Sequence, residues 1–320
     1  MRKLIACAAL FLAAPLALAQ AAADFPSKPI RIIVPFNAGS GSDETSRVYG
    51  EIVSKMLGQP VVVENRPGGS GLIAIQTVKA AEPDGHTIML ASNSPMTVNT
   101  VVFKKLAYDP VKEFRPVSGL GRGPLAFVVN ADSPYKTIHD LAEAARTGKR
   151  SLTVGNYSAG YHLVAAWFGT VTGAEVTHVP YKGGGAALAD LLPGRVDAMF
   201  CNLPLCLPHI ESGKLRALGV TSRQASSLLP DVAPIAENGL PGYEVTGWFG
   251  LFAPAKVDPA IIDKLNASLM KTLNDEGIKQ QLLAQGAETD GSSPAEFDQF
   301  VRAEHDKWAR VIKEAGISIE

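Results

Sequence analysis

One arrangement governs what this chain can become. A β-branched strand runs into a glycine-rich turn, then a short helix, then a second strand, and the unit recurs. It is plainest in the second half. Residues 176–179 are apolar and β-branched, which suits a buried strand. Gly183, Gly184 and Gly185 then let the backbone turn sharply and approach a neighbour closely. Residues 186–192 make a short helix, stopped by Pro193 and Gly194, and residues 196–200 re-enter a sheet. The first half follows the same scheme. A strand at 30–34 leads through a polar Gly/Ser loop into a helix whose apolar face is Val48, Ile52, Val53, Met56 and Leu57, closed by Gly58. A strand at 61–63, a glycine turn at 65–71, a helix ending before Pro83 and a strand at 86–91 complete it. Strands joined by helices in this way must lie parallel, so the chain is α/β, with sheets covered by helices.

The repetition and the length of 320 residues predict two lobes. The first crossing is placed at Gly121-Arg122-Gly123-Pro124, between short strands at 117–120 and 125–129. A strand at 152–155, a loop at 156–161 and a helix at 162–171 open the second lobe. A helix at 205–211 and a strand at 215–221 close it. The aromatic run 243–253 is the return crossing. Residues 24–124 with 246–320 form lobe 1, and 125–245 form lobe 2. Each is a mainly parallel sheet flanked by helices, with a cleft between them. Two late helices announce their own starts. Asp258-Pro259 is an N-cap followed by proline at the first helical position, and Ser293-Pro294-Ala295-Glu296 is a capping box.

Residues 1–23 carry Arg2 and Lys3, then an apolar run, then small residues suited to cleavage. That is the layout of a signal peptide, and the run is too short for a membrane span. A net charge of −1 and no basic face argue against nucleic acid as a partner. No later segment predicts membrane insertion. Cys201 and Cys206 lack C-x-x-C spacing and have no catalytic role in this reading; a disulfide between them is open on geometry alone. The scattered histidines predict no metal site, and no nucleotide or cofactor motif is present: Gly183-Gly184-Gly185 lacks the Lys-Ser/Thr of a P-loop.

In open parallel sheets, ligands bind beyond the carboxyl ends of the strands, beside helix starts whose N–H groups receive anions. Four loops of this chain fall there. The first offers Phe36, Asn37, Gly39 and Ser40, then Gly41, Ser42 and Asp43. The second offers Ser92 and Asn93. The third offers Tyr157, Ser158, Ala159, Gly160 and Tyr161. The fourth offers Tyr181, Gly183 and Gly184, with Asp197 at the next strand. Asp43 has two readings, a ligand contact or a carboxylate complementing its own helix start. Tyr157, Tyr161, Tyr181 and Trp248 either wall a pocket or pack the hinge. His162 reads as a packed histidine, Lys182 as solvated, and Arg66 as a brace for its own turn. No arginine falls within these loops.

Several of these segments resemble one family. The stretch 179–200 (VPYKGGGAALADLLPGRVDAMF) is similar to the signature of the periplasmic solute receptors of tripartite tricarboxylate transporters, also called Bug receptors. Ile33-Val34-Pro35-Phe36 with its loop to Asp43, Val63-Glu64-Asn65-Arg66-Pro67-Gly68-Gly69 and Gly250-Leu251-Phe252-Ala253-Pro254 fit as well, in the family's order. The resemblance implies a periplasmic-binding-protein-like fold that closes on a small carboxylate, using backbone amides and waters. It implies a monomer that docks on the membrane components of a tripartite transporter and catalyses nothing. Two loops depart from the family pattern. FNAGSGSD lacks the usual adjacent glycines, and GNYSAGYH has tyrosines where a longer Gly/Ser run is frequent. Both touch the expected pocket. A secreted hydrolase is the competing class, but no G-x-S-x-G elbow occurs. A ligand sensor for a signalling partner would have the same fold.

Overall fold

The structure, a computed structural model, describes residues 24–147, 151–284, 288–289 and 291–317. The expected leader, residues 1–23, lies outside them. Parallel order is set at once by β1 (Ile30–Val34), which pairs with β2 (Val61–Asn65) on one side and β3 (Thr87–Ser92) on the other. Helix α1 (Gly41–Leu57) makes the first crossover. Ser40 caps it by accepting the Asp43 N–H, and Gly58, at φ 69°, ends it. Helix α2 (Leu72–Lys79) makes the second crossover.

The segment after β3 is not the polar loop the sequence suggested. Ser94–Val98 is a π-helical turn running straight into a helical turn at Asn99–Val102. Pro95 sits in its first turn, where a missing N–H costs no helix bond.

The two short strands expected around Gly121–Pro124 are one strand, β4 (Phe114–Asn130), unbroken for 17 residues. As far as Pro124 it pairs antiparallel with β9 (Thr246–Pro254). From Leu125 on it pairs with β7 (Ala198–Asn202) and β8 (Leu215–Val220). Pro124 stands where partners change, and a residue without an N–H is tolerated at such a place. Two register shifts before it, at Pro116/Ser118 and Gly119/Gly121, bend the strand.

The second sheet repeats the first. β5 (Leu152–Asn156) pairs parallel with β6 (Val176–Pro180) and β7. Its crossovers are α4 (Ala159–Thr172) and α5 (Gly184–Leu191), while α3 (Ile138–Thr147) precedes β5 and α6 (Leu203–Glu211) follows β7. The whole path runs β2-β1-β3-β9-β4-β7-β5-β6, with β8 on β4.

Alternation along the strands separates the cores. Ile30, Ile32 and Val34 face α1 and α7 (Pro259–Leu273), whereas Ile33 and Met89 face α2 and the first half of α9 (Pro294–Ala315). Phe127 and Val129 face α4, and Ala126 and Val128 face α5 and α6. Helix α8 (Glu276–Ala284) follows α7. Helix α9 carries the expected capping box at Ser293 and Glu296. Its 22 residues span about 33 Å at 1.5 Å each. It therefore reaches both cores: Phe297 and Val301 pack on the first sheet, and Trp308 inserts among the second-sheet residues. Cys201 and Cys206 are buried free thiols that both donate to the Asn202 carbonyl.

Candidate functional site

The carboxyl ends of the strands of both sheets open onto one cavity. The cavity and its mouth, open solvent included, hold about 970 Å³ of space between atoms. Phe36 enters it from the end of β1, Ser92 and Asn93 from β3, Tyr157 from the end of β5 and Asn202 from β7. The two crossings form its back, through Arg122 and Pro124 on β4 and Trp248 and Phe249 on β9.

On the first-sheet side the helix start dominates. The Ser40 side chain accepts the Asp43 N–H at 3.2 Å, and its carbonyl accepts from Glu44 at 2.9 Å. Among the described residues no acceptor meets the Ser42 N–H. Ser40, Ser42 and Thr45 line the cavity there. A helix start with an unspent N–H attracts negative charge.

The second-sheet side is built differently. The Tyr157 and Tyr161 rings lie against each other at a tilt of 32°, centroids 4.0 Å apart. Their hydroxyls donate to Asn202 Oδ1, at 3.1 Å and 3.4 Å. Burial pushes both phenols above their ordinary range, so they stay protonated donors. Leu203, Pro204 and Leu205 continue this wall. Two buried donors, Asn202 Nδ2 and Trp248 Nε1, find no partner among the described residues.

The lobes touch at the rim. Ser94 Oγ lies 2.8 Å from Ser158 Oγ and accepts the Gly160 N–H at 3.0 Å. A Cβ on Gly160 would stand 2.7 Å from that Ser94 oxygen, so a side chain there would push Ser94 aside. The Gly183–Gly185 turn faces Asn37 and Gly39 of the opposite loop.

Half of the residues singled out from the sequence line the cavity: Phe36, Ser40, Ser42, Ser92 and Asn93 from one side, and Tyr157, Gly160, Tyr161 and Gly184 from the other. Asn37, Gly39, Gly41, Ser158, Ala159 and Gly183 lie beside it, at the rim or the helix starts. Asp43 points into its own turn. Its carboxylate accepts from Gly39 and Asn65, at 2.9 Å and 3.0 Å, and pairs with Arg47. Burial alone would raise its pKa, but Arg47, Gly39 and Asn65 together hold it below the usual range. Asp197 accepts from the Thr153 N–H and hydroxyl, and Tyr181 donates to Asp190. These three are held by local structure. Lys182 is exposed, as expected.

Sequence reasoning missed Thr45 and Tyr49 on α1, Asn202 to Leu205 at the β7–α6 junction, and Glu288. No arginine falls within the four loops, but Arg122 of β4 lines the cavity from outside them and stacks 4.3 Å above the Phe300 ring. Arg122 belonged to a segment read as the first crossing between lobes, and the continuous strand carries it to the cavity. One signal for Asn202 was available: it ends a buried strand and precedes a Pro-containing helix start, the position the other loops occupy.

Residues 45–317 match the profile described as tripartite tricarboxylate transporter family receptor. The chain is 35% identical over 324 residues to protein BugT of Bordetella pertussis, covering 100% of this chain and 99% of that one. Among solved structures, an R. palustris protein with adipate superposes with a TM-score of 0.89 at 35% identity, covering 92% of this chain and 99% of that one. MatC from Rhodopseudomonas palustris, with bound malate, gives 0.86 at 30% identity, covering 90% and 100%.

Proposed function

We propose, because this chain belongs to the tripartite tricarboxylate transporter receptor family, that it closes two lobes on a small carboxylate in the periplasm and delivers it to a membrane transporter. One observation carries the reading. Strand ends of both sheets converge on a single cavity, and the α1 start presents an unspent N–H there. The relatives solved with adipate and malate support a carboxylate as the class of ligand. The lobes are taken as 24–124 with 246–320, and 125–245, with the end of α9 clasping the second. Residues 1–23 are a removable leader, and the receptor works as a monomer.

The hydrolase alternative lacks support. Ser158 is bonded to Ser94 rather than to a histidine, and His162 packs on His178. Among the described residues no cavity serine is hydrogen-bonded to a histidine, so none has the base that activates a nucleophile. The charge of the ligand should be met mainly by backbone N–H groups. Lys182, the cation of the fourth loop, stands outside the lining.

Native mass spectrometry of exported protein, purified without denaturation, tests the reading. The expected mass starts near Asp24, and the released molecule is a carboxylate. Calorimetry with that molecule and its carboxamide should show the amide weaker by on the order of 2–4 kcal/mol, as charge-assisted bonds are lost. Lys182→Met should cost about 1 kcal/mol or less. Recovery of an uncharged ligand, or equal affinity for acid and amide, overturns the carboxylate reading.

A further inference from the structure

The two sides of the cavity are chemically unlike, and the difference bears on ligand choice. The first-sheet side offers short hydroxyl and amide side chains around a helix start. The second-sheet side offers the Tyr157–Tyr161 ring pair and the Leu203-Pro204-Leu205 turn, with Trp248 and Phe249 between. The second wall is poorly made for a second free carboxylate. Pro204 removes an N–H from the α6 start, so that helix end offers fewer donors than α1 does. Asn202, its N-cap residue, does not cap it with its side chain. Its Oδ1 is occupied by the two phenols instead.

That engagement fixes the other end of the carboxamide. With Oδ1 held by Tyr157 and Tyr161, Asn202 Nδ2 is committed as a donor. Asn202 is only 8% exposed and lines the cavity, and Nδ2 has no partner among the described residues. A buried donor left unmade costs about 1–3 kcal/mol, so such groups usually have a partner.

We propose that this wall selects an aromatic carboxylate: its charged end at the α1 start, its ring against Tyr157, Tyr161 and Trp248, and a hydrogen-bond acceptor at its far end meeting Asn202 Nδ2. The assignment rests on the receptor reading above. Aromatic faces favour a planar body over a puckered or flexible one.

Calorimetry on the full mature chain tests the ring and the acceptor separately. Benzoate should bind about tenfold or more tighter than cyclohexanecarboxylate, which differs by planarity, and tighter than adipate. For the acceptor, 4-acetylbenzoate should bind about tenfold tighter than 4-isopropylbenzoate, which has the same shape without the oxygen. In Asn202→Leu and in the near-isosteric Asn202→Asp that second ratio should fall to about one. Circular dichroism melts identify which variant is folded and is to be read. If adipate or cyclohexanecarboxylate binds as well as benzoate, the aromatic preference is overturned while the receptor reading stands. A ratio preserved in a folded Asn202 variant removes Asn202 from recognition. If no carboxylate in the series binds, the aromatic preference is overturned, and the molecule released in native mass spectrometry decides the receptor reading.

Discussion

Thr221 is fully buried and fastens both chain crossings at one point. Its hydroxyl accepts the Leu125 N–H at 2.8 Å and donates to the Val245 carbonyl at 2.6 Å. Its backbone exchanges bonds with the same two residues. Thr221→Val keeps the shape and removes the hydroxyl, leaving a buried N–H and C=O short of partners. The expected loss is about 1–3 kcal/mol in a denaturant-unfolding measurement. An unchanged midpoint would mean that water replaces the hydroxyl. At this scale the sequence spoke unevenly. Ser40, Gly58, Ser293 and Glu296 were legible because capping chemistry is local. Asp43 had two readings, and its bonds to Gly39 and Arg47 are local while Asn65 arrives from another strand. Thr221 and Asn202 act through residues tens of positions away, which no local pattern reveals.

The elements were legible wherever their hydrophobic period was plain, as in the parallel strands and the crossover helices. They were misread where glycine and proline had a tertiary purpose. The Gly121–Pro124 segment was expected to separate two short strands but lies inside β4, because β9 supplies the hydrogen bonds that hold it extended. Another consequence concerns α4 and β6. His162 and His178 face each other with ring centroids 3.9 Å apart. Burial, then the neighbouring His162, lowers the His178 pKa to about 4; burial also lowers that of His162. The unfolded chain then binds more protons than the native one between about pH 6.5 and 4. The stability of this pair is therefore complete above about pH 6.5 and is lost as pH falls toward 4. Solvent screening at these half-buried sites keeps the His178 share to about 1–2 kcal/mol. Thermal melts at pH 7.5 and pH 4.5 should show a larger drop for wild type than for His178→Gln. Equal drops would show that the pair contributes no pH dependence.

At the scale of the whole molecule, the lobes meet at the cavity rim through few polar bonds, chiefly Ser94 with Ser158 and Gly160, while Val98 and Trp308 pack into the second core. The rim can open if those apolar contacts travel with the second core. The motion should be absorbed where β4 and β9 change partners, near Leu125 and Val245. Small-angle scattering of ligand-free and ligand-saturated protein should show a smaller radius of gyration on binding. An identical distance distribution in both states would argue for a rigid, preformed site. The two-lobed plan was readable from the repeated strand–helix units. The clasp by α9 was not, since Trp308 sits on an ordinary amphipathic helix and only the packed structure sends it to the second core.

The place of β9 also orders events during the making of the protein. It lies between β3 and β4, so the first sheet lacks an inner strand until residue 254 is available. The second sheet draws its strands from 125–220 and has no such wait. Contacts close in sequence form sooner than distant ones, because their loops cost less entropy to close. The later-numbered half should therefore assemble first, with the amino-terminal half held incomplete until the carboxyl-terminal strand slots in and Trp308 seals the pair. Any helper that shields this chain during its passage from synthesis to use would find its exposed edges on β3 and the first part of β4.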